Sequence, residues 1–397
     1  MGERLPLLDA DIHIHTSEGG CVGRVLVIGA GFAGAVHARE LAEAGFDVHV
    51  IDKRPHIAGN CYDYVHECGV RIHKYGPHLF HTSNMRVVDW MSQFTEWLPY
   101  EHRVVARLPD KLLVPNPVNL DTVNAVFNTN LINPDEVTAF LAPRVIKKDP
   151  IVSAEDHLYS HIGPELTDLF FRPYTKKMWN MDLSEVNADV VRRLQIRTDK
   201  ESRYFPNDTF QAMPKDGYTA IFERIFDHPR INVEVNRPFS KEMLGSYDVC
   251  FNSMPIDEYY DFEFGELPYR SIRFHLNERA AKEAEQHPVI NYTDHSPFTR
   301  ETWWHLIAGH HVRVSAIVLQ TIEEPCDYRD NELERYYPVK TSDGRYDSLY
   351  RRYAELTAKS DRVYFIGRCG TYQYLDMHQV INQCLVHVHK WLGREPE

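Results

Sequence analysis

The chain has 397 residues, enough for two or three domains around a large core. Its 44 basic and 57 acidic residues leave a net charge of −13, which excludes nucleic acid or an anionic membrane as the main partner. Seven scattered cysteines without a CxxC pair exclude a zinc site or a disulfide frame, and no apolar run approaches the ~20 residues of a membrane span. Without a signal-peptide pattern, these features predict a cytoplasmic protein.

Residues 1–22 are polar and read as a tail; His13 and His15 alone make a poor metal site, and no metal is expected. The apolar run Arg24–Ile28 predicts a strand leading into Gly29-Ala30-Gly31-Phe32-Ala33-Gly34 and a helix to about Ala44. Gly45 ends that helix, and Asp47–Ile51 predicts a second strand closing on Asp52. From about 83 to 198 the pattern is mostly helical. Ser83, Asp121, Asn133 with Pro134, Ser153 with Asp156, and Ser184 are the expected N-caps, with short alternating stretches around His102–Val114. Tyr218–Phe226 and Ile231–Val235 return to helix and strand. Arg270–Leu276, Pro288–Tyr292 and Val312–Ile322 then predict a β region, followed by the strand Val363–Gly367 and a helix from Asp376 to Trp391.

The fold expected is α/β: a Rossmann-like dinucleotide-binding domain built from discontinuous segments, with an inserted helical domain and an inserted antiparallel β-sheet domain. A tail over 1–22 precedes the dinucleotide-binding segments 23–82, 201–262 and 341–397. The mainly helical insertion with a substrate loop spans 83–200, and the β-sheet domain 263–340.

Each fingerprint residue has a physical task. Gly29 allows the tight turn, Gly31 lets backbone amides approach a pyrophosphate, and Gly34 permits close helix–strand packing. The helix N-terminus attracts phosphate, and Asp52, 23 residues after Gly29, suits a ribose diol. The motif alone fits FAD or NAD. The second glycine turn at Ile57-Ala58-Gly59-Asn60 and the returning C-terminal segment Val363–Arg368 favour FAD.

Eight motifs then recur in order: GAGFAG, RPHIAGNCYD, KYGPHLFHT, NLDTVN, YTKKMW, QAMPKDGY, LPYRS and GRCGTYQYLDMHQV. With them the chain resembles the UDP-galactopyranose mutase family over nearly all of residues 23–393. The resemblance implies interconversion of pyranose and furanose forms of a nucleotide sugar, UDP-galactose or a related UDP- or dTDP-hexose, without net redox. It implies reduced FAD as the active form and a covalent flavin N5–sugar intermediate. Its implied partners are a nucleotide-sugar diphosphate, a reductant such as NAD(P)H or a reductase, and further copies of the chain in a homo-oligomer. The implied setting is cell-surface polysaccharide biosynthesis.

Carried over by motif, His81, Arg193 and Arg300 take catalytic roles: His81 close to flavin N5, the arginines on the diphosphate, whose oxygens suit guanidinium forks. Cofactor contacts are implied at Gly29, Gly31, Phe32, Gly34, Asp52, Lys53, Asn60, His78, Leu79, Arg368, Asp376 and Met377. Substrate contacts are implied at His102, Phe170, Tyr174, Trp179, Tyr204, Phe205, Asn291, Tyr337 and Tyr374. Read without the family, most of these are ordinary core aromatics, solvated arginines or, for Asp376, a helix N-cap.

The chain departs from the family after Arg300. Glu301-Thr302-Trp303-Trp304-His305-Leu306 puts Trp303 and His305 where the family has charged residues, and Glu323–Arg335 reads as a long charged loop. A different sugar, and in second place a different base, is the expectation drawn from these departures. Two alternatives stay open: an FAD-dependent oxidase or dehydrogenase of the amine-oxidase type, and a nucleotide-sugar-binding relative without catalysis.

Overall fold

A computed structural model describes residues 23–192 and 196–394; Arg193 and the His13/His15 pair lie outside the described residues. The chain forms two compact units. One takes the described parts of Met1–Asn60, Thr219–Glu266 and Leu349–Glu397, the other Cys61–Tyr218 and Leu267–Ser348.

The first unit is built on a five-stranded parallel sheet. Its order is Ile231–Glu234, Asp47–Ile51, Arg24–Ile28, Val249–Asn252, Val363–Phe365. The central strand reads as a continuous apolar run because it is covered on both faces, and Val25, Leu26 and Val27 are fully buried. Helix Phe32–Glu43 follows it and packs against the C-terminal helix Met377–Trp391. Gly45, at φ +98°, turns the chain into the second strand. The last strand stops at Phe365, short of the expected Gly367. Gly367 has φ +70° and opens the short helix Gly367–Gly370 instead.

The second unit carries a seven-stranded sheet in the order Tyr337–Pro338, Tyr269–Ala280, Ile317–Asp327, Arg300–Trp303, Val289–Tyr292, Val104–Arg107, Leu113–Asn116. All neighbours are antiparallel except Val289–Tyr292 with Val104–Arg107. A small antiparallel sheet joins Phe80–Thr82, Phe210–Pro214 and Trp97–Pro99. The helical part includes Ala154–Leu166, a wider π-turn over Thr167–Phe171, and Arg172–Trp179.

Local chemistry explains where several elements begin and end. Ser153 and Asp156 form a reciprocal capping box, and Asn133 caps a helix opened by Pro134. Three expected caps are not found where the sequence puts them. Asn84 replaces Ser83, Asn119 replaces Asp121 by accepting the Thr122 amide, and Ser184 sits in a turn. The strand expected over Val312–Ile322 starts only at Ile317. Val312 and Val314 alternate with polar residues but are 54% and 89% exposed, with no sheet to face among the described residues. The loop expected from Glu323 is strand as far as Asp327, because Glu323 pairs in register with both Phe274 and Arg300.

Candidate active site

In the first unit two glycines of the glycine-rich turn leave no room for a side chain. A Cβ on Gly34 would stand 1.9 Å from the Gly29 carbonyl oxygen, and one on Gly29, at φ +99°, 2.0 Å from Ser253 Oγ. Ser253 Oγ donates to the Ile28 carbonyl (2.7 Å), so it holds the end of the central strand against the turn. A Cβ on Gly59 would reach to 2.9 Å of Gly31 Cα, which brings the second glycine turn against the first. The Asp52 carboxylate accepts the amides of Ala30 (2.8 Å) and Arg54 (2.9 Å), and so ties the second strand's end to the fingerprint.

Phe32 is buried against Phe222, Lys53 is exposed, and Asn60 Oδ1 accepts from Arg54 Nη1 (2.9 Å). The C-terminal segment returns here: a Cβ on Gly367 would meet Ala33 Cβ at 2.7 Å. Arg368 lies over the Tyr374 ring (5.2 Å), and Asp376 caps Met377–Trp391 in a capping box with Gln379. A side-chain-free cradle before a 12-residue helix fits a pyrophosphate, since amides and helix dipole both face the anion.

In the second unit the site is read from strand register. Phe274, Glu323, Arg300, Asn291 and Ala106 lie directly opposite one another on successive strands, so their side chains share one face. Tyr337, opposite Arg270, shares it by the two-residue alternation. Arg300 grips Glu323 with a fork, Nε to Oε1 at 2.9 Å and Nη2 to Oε2 at 2.8 Å. Glu323 is 1% exposed. Burial alone would weaken the guanidinium's hold on its proton; the Glu323 charge, then Tyr174, more than offset it and raise the Arg300 pKa. Asn291 Oδ1 is buried without a partner among the described residues, a polar atom suited to a ligand.

Helix Arg172–Trp179 covers this face. Arg270 Nε donates to the Met178 carbonyl (2.8 Å), and Lys177 Nζ to the carbonyls of Tyr292 and Asp294 (3.0 Å each), pinning the helix C-terminus from two sides. Burial raises the Tyr174 pKa, with Arg300 acting in the opposite sense and Glu323, Tyr204 and Tyr337 adding to it. Trp179 is buried with its ring edge-on to Tyr337, and Phe170 is buried in the π-turn. His102 is held neutral, with its pKa lowered to about 3 by burial and then by the charges of Arg300 and His81. Tyr204 and Phe205 flank it, and the Phe205 ring stacks on His81.

His78 and Leu79 sit in the turn before Phe80–Thr82, where His78 Nδ1 contacts the Gly76 carbonyl (2.8 Å). The second unit thus gathers Arg300, Asn291, His102, Tyr174, Trp179, Tyr204, Phe205, Tyr337 and His81. Tyr374 belongs to the first unit, beside Arg368. Two residues of the cluster escaped sequence reasoning. Glu323 was hidden in a run of charges, and Asp208, 2.6 Å from His81 Nδ1, sits in a stretch that reads as a plain turn.

Trp303 lies elsewhere. It follows Glu301 on the opposite face, opposite Gln320. There Glu301 accepts from Arg107 Nη2 (2.9 Å), Tyr292 Oη (2.7 Å) and Gln320 Nε2 (2.5 Å).

The parallel sheet, its glycine turn and the inserted mixed unit define a Rossmann-type dinucleotide-binding protein. Residues 27–94 match an NAD(P)-binding Rossmann-like domain, and residues 169–374 match the UDP-galactopyranose mutase family. The chain is 35% identical over 369 residues to the probable UDP-galactopyranose mutase of Klebsiella pneumoniae, covering 91% of this chain and 92% of that one. It is 35% identical over 374 residues to the dTDP-fucopyranose mutase of Escherichia coli, covering 92% and 97%. Its fold resembles the crystal structure of reduced UDP-galactopyranose mutase (TM-score 0.70, 18% identity, 94% of each chain). It also resembles a cofactor-binding redesign of putrescine oxidase (TM-score 0.59, 11% identity, 94% and 99%). The chain belongs to the UDP-galactopyranose mutase family, a family of isomerases. Among the described residues no helix is long and apolar enough to cross a membrane.

Proposed function

We propose that the protein interconverts the pyranose and furanose forms of UDP-galactose or a related UDP- or dTDP-hexose, with reduced FAD and without net redox. The observation that carries this reading is the Arg300–Glu323 fork set among Asn291, Tyr174, Tyr337 and His102. Glu323 occupies Nε and Nη2, so Arg300 presents its Nη1 edge to a diphosphate oxygen at a fixed angle. Arg193 supplies the second cation in this proposal. The diphosphate is the leaving group, and charge developing on it is stabilised by groups already oriented before reaction. Tyr174 and Trp179 bind the nucleoside end, and Asn291 takes a polar contact.

The glycine cradle holds the FAD pyrophosphate, with Asp52 on its ribose and Arg368 and Asp376 completing the cofactor contacts. When bound and reduced, FAD supplies the nucleophile for the anomeric carbon and leaves the cycle unchanged, so NAD(P)H or a reductase is needed only for priming. The test is to reduce the purified protein, supply UDP- and dTDP-hexoses, and follow furanose products by chromatography. Turnover is expected only after reduction, with no electron acceptor consumed per cycle. Tight nucleotide-sugar binding with no furanose from any member of the panel would overturn the reading. Steady consumption of oxygen would support the oxidase alternative.

A further inference from the structure

One short turn holds His81 from two directions. The Asp208 amide donates to the Phe205 carbonyl (3.2 Å), which closes the turn Phe205–Asp208. Phe205 then lies flat on the His81 imidazole, with centroids 3.4 Å apart and planes within 6°. Asp208 Oδ2 meets the ring at its edge, 2.6 Å from Nδ1.

The turn is itself fixed. Gln211 Nε2 donates to the Phe205 carbonyl (2.7 Å), and Gln211 is the residue that pairs with His81 across the small sheet. Ser83 Oγ donates to the Asn207 carbonyl (3.1 Å) and accepts the Thr209 amide (3.1 Å). The His81 side chain is 10% exposed and that of Asp208 26%. A ring so clamped has lost both its rotation and its choice of tautomer. The carboxylate keeps a proton on Nδ1, and proton exchange is left to Nε2.

His81 adjoins the Arg300 cluster through Phe205, whose ring stacks on His81 and also on His102. Exchange between pyranose and furanose needs a proton carrier. Ring opening adds a proton to the ring oxygen, and reclosure removes one from the hydroxyl that becomes the new ring oxygen. A single group that gives and then recovers one proton balances the cycle.

We infer that Asp208 is a positioning residue, which fixes His81 with Nδ1 protonated so that Nε2 serves this exchange. The inference rests on the mutase reading above. Its test compares reduced wild type with Asp208→Asn in furanose formation, alongside ¹⁵N NMR of the His81 ring, assigned with His81→Gln. An asparagine in this place favours the wrong tautomer. Asp208→Asn is expected to move the His81 proton to Nε2 and to lower kcat about 10- to 100-fold. KM should stay near the wild-type value, because Asp208 contacts His81 and the proposal assigns the diphosphate to Arg300 and Arg193. Asp208→Glu, which restores a carboxylate, should recover part of kcat. An unchanged tautomer, or an unchanged kcat with the tautomer moved, overturns the assignment while leaving the mutase reading intact. If wild type itself forms no furanose from any nucleotide sugar, the mutase reading fails and the assignment falls with it.

Discussion

Replacing Glu323 by glutamine isolates what the buried fork does. Glu323 is 1% exposed and the Arg300 side chain 25% exposed, so the substitution leaves a guanidinium mostly out of water beside a neutral amide. Breaking a fully buried ion pair costs about 3–5 kcal/mol. Here the amide oxygen still accepts one N–H and a quarter of Arg300 reaches solvent, which reduces the loss to about 2–3 kcal/mol. At about 2–4 °C per kcal/mol for a unit of this size, Tm should fall by roughly 4–12 °C.

The second effect is geometric. The amide NH₂ turns one of the two parallel hydrogen bonds into a donor facing a donor, and the guanidinium swings off its angle. A displacement of about 1 Å at a phosphate-binding group costs on the order of 10²-fold in rate. The assays are thermal melting, calorimetry with UDP, and furanose formation by reduced enzyme. Combining Glu323→Gln with Arg300→Met removes both charges, and should restore most of the stability but none of the turnover. If Glu323→Gln melts with the wild type and binds UDP as tightly, the fork does not hold Arg300, and the carrying observation of the proposed function is lost.

Three further outcomes follow from other parts of the molecule. Gly34→Ala places a Cβ 1.9 Å from the Gly29 carbonyl oxygen, so it should abolish flavin absorbance while UDP binding by the second unit survives; a flavin-loaded variant would refute the cradle. Lys177→Met removes the two 3.0 Å bonds that pin the helix carrying Tyr174 and Trp179, and should raise KM roughly fivefold with flavin content unchanged; an unaltered KM would show that this anchor is dispensable. Burial lowers the pKa values of His37 and His102 from 6.5 to about 3, so between those values the unfolded chain binds more protons than the folded one. Stability is therefore fully present above pH 6.5 and lost as pH falls towards 3, and His37→Gln should flatten that limb in melting curves.

The glycine cradle of the first unit is legible because its signals are local. After Arg24 the strand Arg24–Ile28 is apolar throughout since both of its faces are covered, and Gly29 and Gly34 sit where any Cβ would clash with a neighbouring atom. Ser153 and Asp156 declare their helix within four residues. The Arg300 cluster of the second unit is readable through motifs, but two of its members are not. Glu323 stands among Glu324, Asp327, Arg329 and Asp330, a composition that reads as a solvated loop. Its partner Arg300 lies 23 residues away and meets it only through cross-strand register. Asp208 follows Pro206 and Asn207 in ordinary turn chemistry, 127 residues from the histidine it holds. Val312 and Val314 mislead in the other direction, since alternation predicts a strand only where a second strand is present to pair.

Register also changes what the most visible departure in the sequence can mean. Trp303, where the family has a charged residue, is one of the departures that point to a different sugar. Alternation along Arg300–Trp303 puts Arg300 and Thr302 on one face, and Glu301 and Trp303 on the other. Trp303 stands beside the Glu301 network, where Arg107, Tyr292 and Gln320 already satisfy the buried carboxylate. A large apolar ring there packs the back of the sheet. It does not line the face on which Arg300, Asn291 and Tyr337 lie. If this chain selects a sugar other than galactose, the residues that select it belong to that face or to the helix over it. Exchanging Trp303 for the charged residue of its relatives should alter stability and leave the ranking of nucleotide sugars unchanged. A changed ranking in the furanose assay would show that the back of the sheet reaches the substrate after all.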